Sequence, residues 1–498
     1  MLLGGDQELL QRTVRRQNAQ IGKRRWRPIA IALLPVLGIA LLYLLLPDPG
    51  PRIRDLPILD TELYPIVGSL RAPGFSIPLV PGASSSSSDG RAAQLGRKLF
   101  HSSDLTPNGD MSCASCHASP TPLTVARPTL PQLVNLRFAH WFGSSGDTDS
   151  VGAATLAALE DPTHMASSRL FLVKQMLGPW RREYETVFGN LPGELLDPDA
   201  LPSAGLPAPP PLQWEVNVAA AGLASMGDSH LLDSIISKAI GEHLAPALEL
   251  SRRAFDRAPP PPGWVAAYEK MSPAHIAAVN QVYANVGVAI GSYLRGLVAF
   301  DSAFDRFADR WRENIPAAAA LGDGFTDREL IGLKLFVGPG KCISCHSGAT
   351  LTDQKFHNSG LSQLGETIMG GRAVGSVRAL TNPFNCIGPF GQKLRREPSD
   401  CADITTLNTE DIRNLGAFKT PSLRNLSHRQ RFMHDQRFTT LETTLAYYNE
   451  LTDRAAIGQR DPALHPLGFT GEELEALAAF LNSLSSSVQD LNGVRHFQ

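Results

Sequence analysis

Two stretches of this chain set a pair of cysteines and a histidine at the same spacing: MSCASCHASP at residues 111–120 and CISCH at residues 342–346. A C-x-x-C pair permits a redox dithiol, half of a zinc site, or covalent haem attachment. The histidine directly after the second cysteine separates these readings. In c-type haem both thiols bond to the porphyrin and the adjacent imidazole reaches the iron. Zinc would draw four ligands from the two pairs and gives no reason for a histidine at the same place in both. A thioredoxin-like dithiol needs a βαβ context, which is absent. The reading is two covalently bound haem c groups, on Cys113 and Cys116 and on Cys342 and Cys345. The proximal iron ligands are then His117 and His346.

Haem attachment of this kind takes place outside the cytoplasmic membrane, so the rest of the chain must agree on compartment. Residues 29–46, IAIALLPVLGIALLYLLL, are free of charge. At helical rise they reach about 27 Å, enough to span a bilayer. Residues 1–28 are rich in arginine and lysine, which keeps that tail cytoplasmic and exports the chain beyond residue 47. A cleaved signal peptide is the rival, but LLLPDPG offers no small-x-small cleavage site. The expectation is a single-pass inner-membrane anchor with periplasmic haem domains. Removing the four haem thiols from six cysteines leaves Cys386 and Cys401. In an oxidising compartment these form a disulfide, worth about 3 kcal/mol by chain entropy; two buried free thiols are the alternative. A net charge of −2 argues against a nucleic-acid partner.

The attachment sites must be positioned by helices. Leu95-Gly96-Arg97-Lys98-Leu99-Phe100 precedes the first site and Ile331-Gly332-Leu333-Lys334-Leu335-Phe336 the second, so the haem domain is duplicated. Residues 275–299 read as helix, and Thr470 with Glu473 forms a capping box before LEALAAFLNSL. Alternating strand patterns are few. The fold class is mainly α: two cytochrome c-type haem domains in tandem behind one transmembrane helix. The expected divisions are a tail at 1–28, an anchor at 29–46, and a flexible linker at 47–91 ending in PGASSSSSDG. An N-terminal haem domain comes next at 92–315, carrying an inserted element at about 195–265 between proline-rich loops. A C-terminal haem domain occupies 316–498.

Together the two haem motifs, LTDQKFHNSG at 351–360 and GAFKTPSLRNLSHRQRFMHDQRFTTLETTLAYYNEL at 416–451 resemble the bacterial di-haem cytochrome c peroxidase superfamily. Within it the chain is similar to the MauG-like branch. The resemblance runs over roughly residues 92–490. It implies that the C-terminal haem stores electrons and that the N-terminal haem meets hydrogen peroxide. It also implies that the sixth ligand of the C-terminal haem is Tyr448, where other members carry methionine. Leu441, Leu445 and Tyr448 share a helix face, while Tyr447 points about 100° away. A phenolate stabilises oxidised iron; a core tyrosine is the plain alternative. His357 and His434 resemble family positions near this haem.

The N-terminal pocket departs from the family. In HWFGSSGDTDSVGAATLAALEDPTHMASS, the family's distal glutamate becomes His164, followed by Met165. The tryptophan that bridges the haems becomes Ser144, with Trp141 and Phe142 just before it. No histidine lies between His117 and Arg127, as in the MauG branch. His164 reads as a distal acid–base, as an iron ligand closing the site, or as a surface histidine. Glu160 and His140 are weaker candidates. The family's calcium positions fall on Thr129, Arg429 and Arg431, so calcium is doubtful. The two guanidiniums would instead pair with haem propionates.

The resemblance leaves two functions open. One is an oxidoreductase using peroxide or another oxidant, with a soluble redox protein (a small c-type cytochrome or cupredoxin) or a protein substrate as partner. The other is a membrane-tethered electron carrier with both irons six-coordinate.

Overall fold

In the computed structural model, the described residues are 58–71, 88–117, 132–161, 164–197, 201–202, 270–364, 367–394, 401–409 and 411–492. The principal helices are α1 (Asp60–Leu70), α2 (Ser88–His101), α3 (Val151–Glu160), α4 (Arg169–Leu177) and α5 (Pro273–Arg295). Then come α6 (Ala303–Arg310), α7 (Asp327–Val337), α8 (Arg372–Thr381), α9 (Leu441–Glu450) and α10 (Gly471–Asn482). Strands are confined to three two-residue antiparallel pairs among the described residues. These join Leu297–Val298 to Gln489–Asp490, Phe356–His357 to Phe418–Lys419, and Gln363–Leu364 to Thr367–Ile368. The fold is mainly α, as expected.

The duplicated L/I-G-x-K-L-F segments do the same mechanical job in both copies. A Cβ on Gly96 would lie 1.9 Å from the Ala289 carbonyl oxygen of α5. One on Gly332 would lie 2.0 Å from the Ala476 carbonyl oxygen of α10. Each glycine therefore lets the helix ahead of a haem motif press onto the backbone of a partner helix. Around the first crossing, Leu99, Leu156, Val173, Val282 and Ile290 form one apolar core. Around the second, Phe307, Leu333, Leu445, Leu477 and Phe480 form another. The chain passes from one core to the other between Ala299 and Phe304, earlier than the expected boundary at 315/316. All described residues fall in one compact unit, Pro57–Gln498.

The duplication runs further than the helices before the haem motifs. After CASCH come a left-handed asparagine (Asn135), a 3-10 turn (Leu136–Phe138), a Phe142–Thr148 bridge, and α3 capped by Ser150. After CISCH the same series is Asn425, Leu426–His428, a Phe432–Phe438 bridge, and α9 capped by Thr440. Each feature recurs at a constant offset of 290 residues. The left-handed pairs Gly143/Met433 and Gly146/Gln436 keep the same register. In this register Tyr448 of α9 corresponds to Ala158 of α3.

Residues 58–71 correct the expected flexible linker. Here α1 buries Leu63, Val67 and Leu70 in the second core, and the Asp60 carboxylate accepts the Ala317 N–H at 2.7 Å. Its apolar spacing (63, 67, 70) is helical, but it lies between proline- and serine-rich stretches that mask it. The expected anchor, 29–46, lies outside the described residues, among which no helix is long and apolar enough to cross a membrane. Nearly all of 195–265 and Thr129 also lie outside them.

A buried ion pair ties α1, α6 and the second haem segment together. Arg424 donates to both carboxylate oxygens of Asp305 (2.8 and 3.0 Å) and to the carbonyls of Ala349 (2.6 Å) and Leu70 (3.2 Å). The two side chains are 1% and 5% exposed, so the charges are stable only as a pair.

Candidate functional site

CASCH forms a helical turn, Cys113–His117. In CISCH, Cys342–Ser344 form a 3-10 turn and the His346 N–H bonds back to Cys342 (2.9 Å). Burial pushes the thiols of Cys113 and Cys342 up to about 12. That is opposite to the depressed values of redox-active and thiolate cysteines. Cys345, Asp353 and His357 lie within 4.8 Å of one another. The His357 nitrogens are both taken by carboxylates, Asp461 at 2.6 Å and Asp353 at 2.8 Å, so no lone pair faces a metal. The hydrogen bond that His357 donates to Asp353 leads the influences that raise His357 to about 11.

The residues around CISCH fit a covalent haem. His346 directs Nδ1–H to the Leu351 carbonyl at 3.0 Å. That bond fixes the tautomer and leaves Nε2 with the lone pair an iron ligand needs. Tyr448 is oriented as the helix geometry requires. Its hydroxyl meets the Met433 sulfur at 3.9 Å, whereas the Tyr447 hydroxyl donates to the Ser359 carbonyl at 2.6 Å. Burial raises the Tyr448 phenol well above its ordinary value, and Tyr447 and the thiols of Cys342 and Cys345 add to it. The phenol thus sits partly buried near the attachment cysteines, and among the described residues its hydroxyl partner is the Met433 sulfur. His434 stacks on Phe418 with ring centroids 3.4 Å apart and leaves Nε2 buried without a partner among the described residues.

Around CASCH, His117 is largely buried and feels the charge of His164. Burial, then the nearby charge of His164, pushes His117 down to about 4. His164 comes after α3 in a turn, and its Nδ1 lies 2.9 Å from an Asp161 carboxylate oxygen. The weaker candidates have other work. Glu160 is forked by Arg169 (2.8 Å to each oxygen), whose guanidinium also reaches Asn280 and lies over the Tyr283 ring. His140 is exposed beside Asp403.

Between the two haem segments lies a stack that residue spacing could not reveal. The Arg372 guanidinium lies 3.9 Å from the Trp141 ring centroid and 4.1 Å from that of Phe356. It also donates to the Gly146 carbonyl at 2.8 Å. Ser144, aligned with the family's bridging tryptophan, offers its carbonyl to the Lys419 N–H at 2.8 Å. The Cys386–Cys401 bond lies against this stack, with Cα atoms 5.6 Å apart. Arg429 is largely buried, which lowers its pKa, and its side chain donates to the Arg431 carbonyl at 3.4 Å. Among the described residues no carboxylate pairs with Arg429 or Arg431.

Residues 90–204 match the family profile described as di-haem cytochrome c peroxidase. The match falls on the N-terminal haem segment, where the sequence departs most from the family residues. Cytochrome-c peroxidase IdrP1 of Denitromonas iodatirespirans is 30% identical over 224 residues, covering 45% of this chain and 54% of that protein. The methylamine utilization protein MauG of Methylorubrum extorquens is 28% identical over 206 residues, covering 41% and 44%. The chain thus spans about half the length of the curated relatives it matches. Among solved structures, the diheme peroxidase BthA from Burkholderia thailandensis E264 aligns with 79% of this chain and 86% of its own. That alignment has 17% identity and a TM-score of 0.46.

Proposed function

We propose that this chain, a relative of the di-haem cytochrome c peroxidases and MauG proteins, is a periplasmic di-haem c oxidoreductase. In this reading residues 29–46 anchor it in the inner membrane. Cys113, Cys116 and His117 would hold the haem at which peroxide is reduced. Cys342, Cys345 and His346 would hold the haem that stores electrons. The supporting observation is the asymmetry of the duplicated segment: Tyr448 stands near the attachment cysteines Cys342 and Cys345, and the equivalent position of the other copy is Ala158, which has no ligand atom.

When bound, haem supplies the electron transfer by which peroxide takes two electrons and two protons and becomes two waters. His164 supplies proton handling. Its Nε2 takes a proton from one peroxide oxygen and returns it to the other, which leaves as water. Tyr448 contributes a phenol oxygen that favours oxidised iron. Arg429 and Arg431 would pair with haem propionates in place of a calcium ion. A soluble redox protein, or a protein that is itself oxidised, is the partner.

The rival, a carrier with both irons six-coordinate, draws on the same His164–Asp161 bond, because iron-bound imidazoles also pair with carboxylates. Titrating purified ferric protein with hydrogen peroxide separates the two. Consumption of peroxide with two electrons delivered per molecule supports the enzyme. Protein that exchanges electrons with a small cytochrome but leaves peroxide untouched contradicts it.

A further inference from the structure

The two copies of the repeated segment differ at a further position, and it lies against Tyr448. In the first copy the chain turns at Gly143 with φ +80°, and a Cβ there would lie 2.5 Å from an Asp147 carboxylate oxygen. Glycine takes this left-handed conformation freely. In the second copy the same turn is made by Met433 at φ +67°. Left-handed backbone strains a residue with a Cβ and persists only where its surroundings impose it.

The Met433 side chain is partly buried against Leu361, Tyr447 and Leu451, the cluster on which Tyr448 also packs. Its sulfur accepts from the Tyr448 hydroxyl at 3.9 Å. Positions 433 and 448 thus touch in the second copy, and their counterparts Gly143 and Ala158 carry no side-chain donor atom. A turn that glycine makes without strain bears a thioether only in the copy that also bears the phenol.

Phenol oxygen and thioether sulfur are unlike donors. Phenolate is hard and anionic and favours ferric iron, whereas a thioether is soft and neutral and favours ferrous iron. Any atom bonded to the Tyr448 oxygen lies at most one bond length further from the sulfur. An unbranched methionine side chain, turning about three bonds, covers such a distance.

We propose that Met433 is an alternative sixth ligand at the C-terminal haem site, holding the iron when it is ferrous as Tyr448 holds it when ferric. This deepens the proposed function and rests on Tyr448 being the ferric ligand. When the iron takes one electron from the redox partner, Tyr448 lets go of it and the freed phenolate takes a proton from water. A sulfur lone pair of Met433 then forms the new bond to iron. Loss of the electron reverses both bond changes and returns the proton to water. The plain alternative is a methionine that only fills space beside the Tyr448 ring.

Absorption spectra of the reduced full-length holoprotein, with electron paramagnetic resonance of its ferric form, test this in wild type, Met433→Leu, Met433→Gly and Tyr448→Phe. Leucine keeps the volume without the sulfur, and glycine restores the unstrained turn of the first copy. A change shared by both is therefore loss of the sulfur and not of the fold. The expected result is that both Met433 variants keep the wild-type ferric low-spin signal. In the reduced protein both lose the sharp α band of a six-coordinate ferrous haem, which wild type shows. Tyr448→Phe does the reverse, losing the ferric low-spin signal and keeping the ferrous band. A ferrous band that persists in either Met433 variant, or is missing from wild type, overturns the role of Met433 and leaves the Tyr448 reading standing. Loss of the ferric signal in both Met433 variants also overturns the exchange, because the sulfur would then serve the ferric site. An unchanged ferric signal in Tyr448→Phe removes the Tyr448 reading and the exchange together.

Discussion

Tyr448 and Ala158 occupy the same position in two copies of one structural segment, on capped helices α9 and α3 at a 290-residue offset. The backbone around them repeats down to left-handed residues at Asn135/Asn425, Gly143/Met433 and Gly146/Gln436. One frame thus presents a phenol at one haem segment and a methyl group at the other. A duplicated scaffold with unequal distal groups is what a division into storing and reacting haems requires.

Replacing Tyr448 by Phe removes the phenol oxygen and keeps the ring. The C-terminal haem then loses its proposed sixth ligand. Electron paramagnetic resonance of the ferric variant should show a low-spin signal replaced by a high-spin one. An unchanged spectrum would show that Tyr448 is a core residue and no ligand.

Arg424→Met leaves the Asp305 carboxylate buried without its counter-charge. The expected cost is about 3–5 kcal/mol in denaturant unfolding. Arg424→Met combined with Asp305→Leu should recover part of it, because no unpaired charge remains. Equal stability of wild type and the single variant would contradict the keystone role.

Gly96→Ala and Gly332→Ala each force a methyl group into the carbonyl of a crossing helix. Each should cost about 1–3 kcal/mol, seen as a lower thermal midpoint. The haem motif behind the altered crossing should be the one whose haem spectrum broadens.

The His357 imidazolium, gripped by Asp353 and Asp461, gives a pH signature. Its pKa is raised from 6.5 to about 11, so the stability it contributes is complete below about 6.5 and is lost as pH rises towards 11. Asp353 and Asp461 are both lowered, since the hydrogen bonds from His357 and from backbone outweigh the cost of burial. Their share is lost on acidification below the ordinary carboxylate range. The unfolding free-energy gap between wild type and His357→Gln should therefore be widest near pH 6 and narrow steadily towards pH 11. A gap constant over that range would mean the imidazole is not held charged.

The residues proposed to hold haem are legible because their spacing is local. C-x-x-C-H fits on one helical turn, and Thr470 with Glu473 forms the expected capping box on α10. Tyr448 is separable from Tyr447 because a helix turns them apart. The hidden features depend on contacts far along the chain. Arg372 meets Trp141, and Arg424 meets Asp305, only after the chain folds. The repeat beyond the haem motifs is hidden for another reason: outside a few pairs such as Asn135/Asn425 and Phe142/Phe432 it preserves backbone angles more than residue types, so Met433 stands where Gly143 does. Helix α1 is obscured by Pro65 inside it and by its serine-rich surroundings.

The central claim is that the two irons are unequal, one sealed by Tyr448 and the other accessible in front of His164. Electron paramagnetic resonance of the fully ferric wild-type protein measures this directly. The account predicts one low-spin signal, from the haem on Cys342 and Cys345, beside one high-spin signal from the haem on Cys113 and Cys116. Two low-spin signals would mean that both irons are six-coordinate and would contradict it.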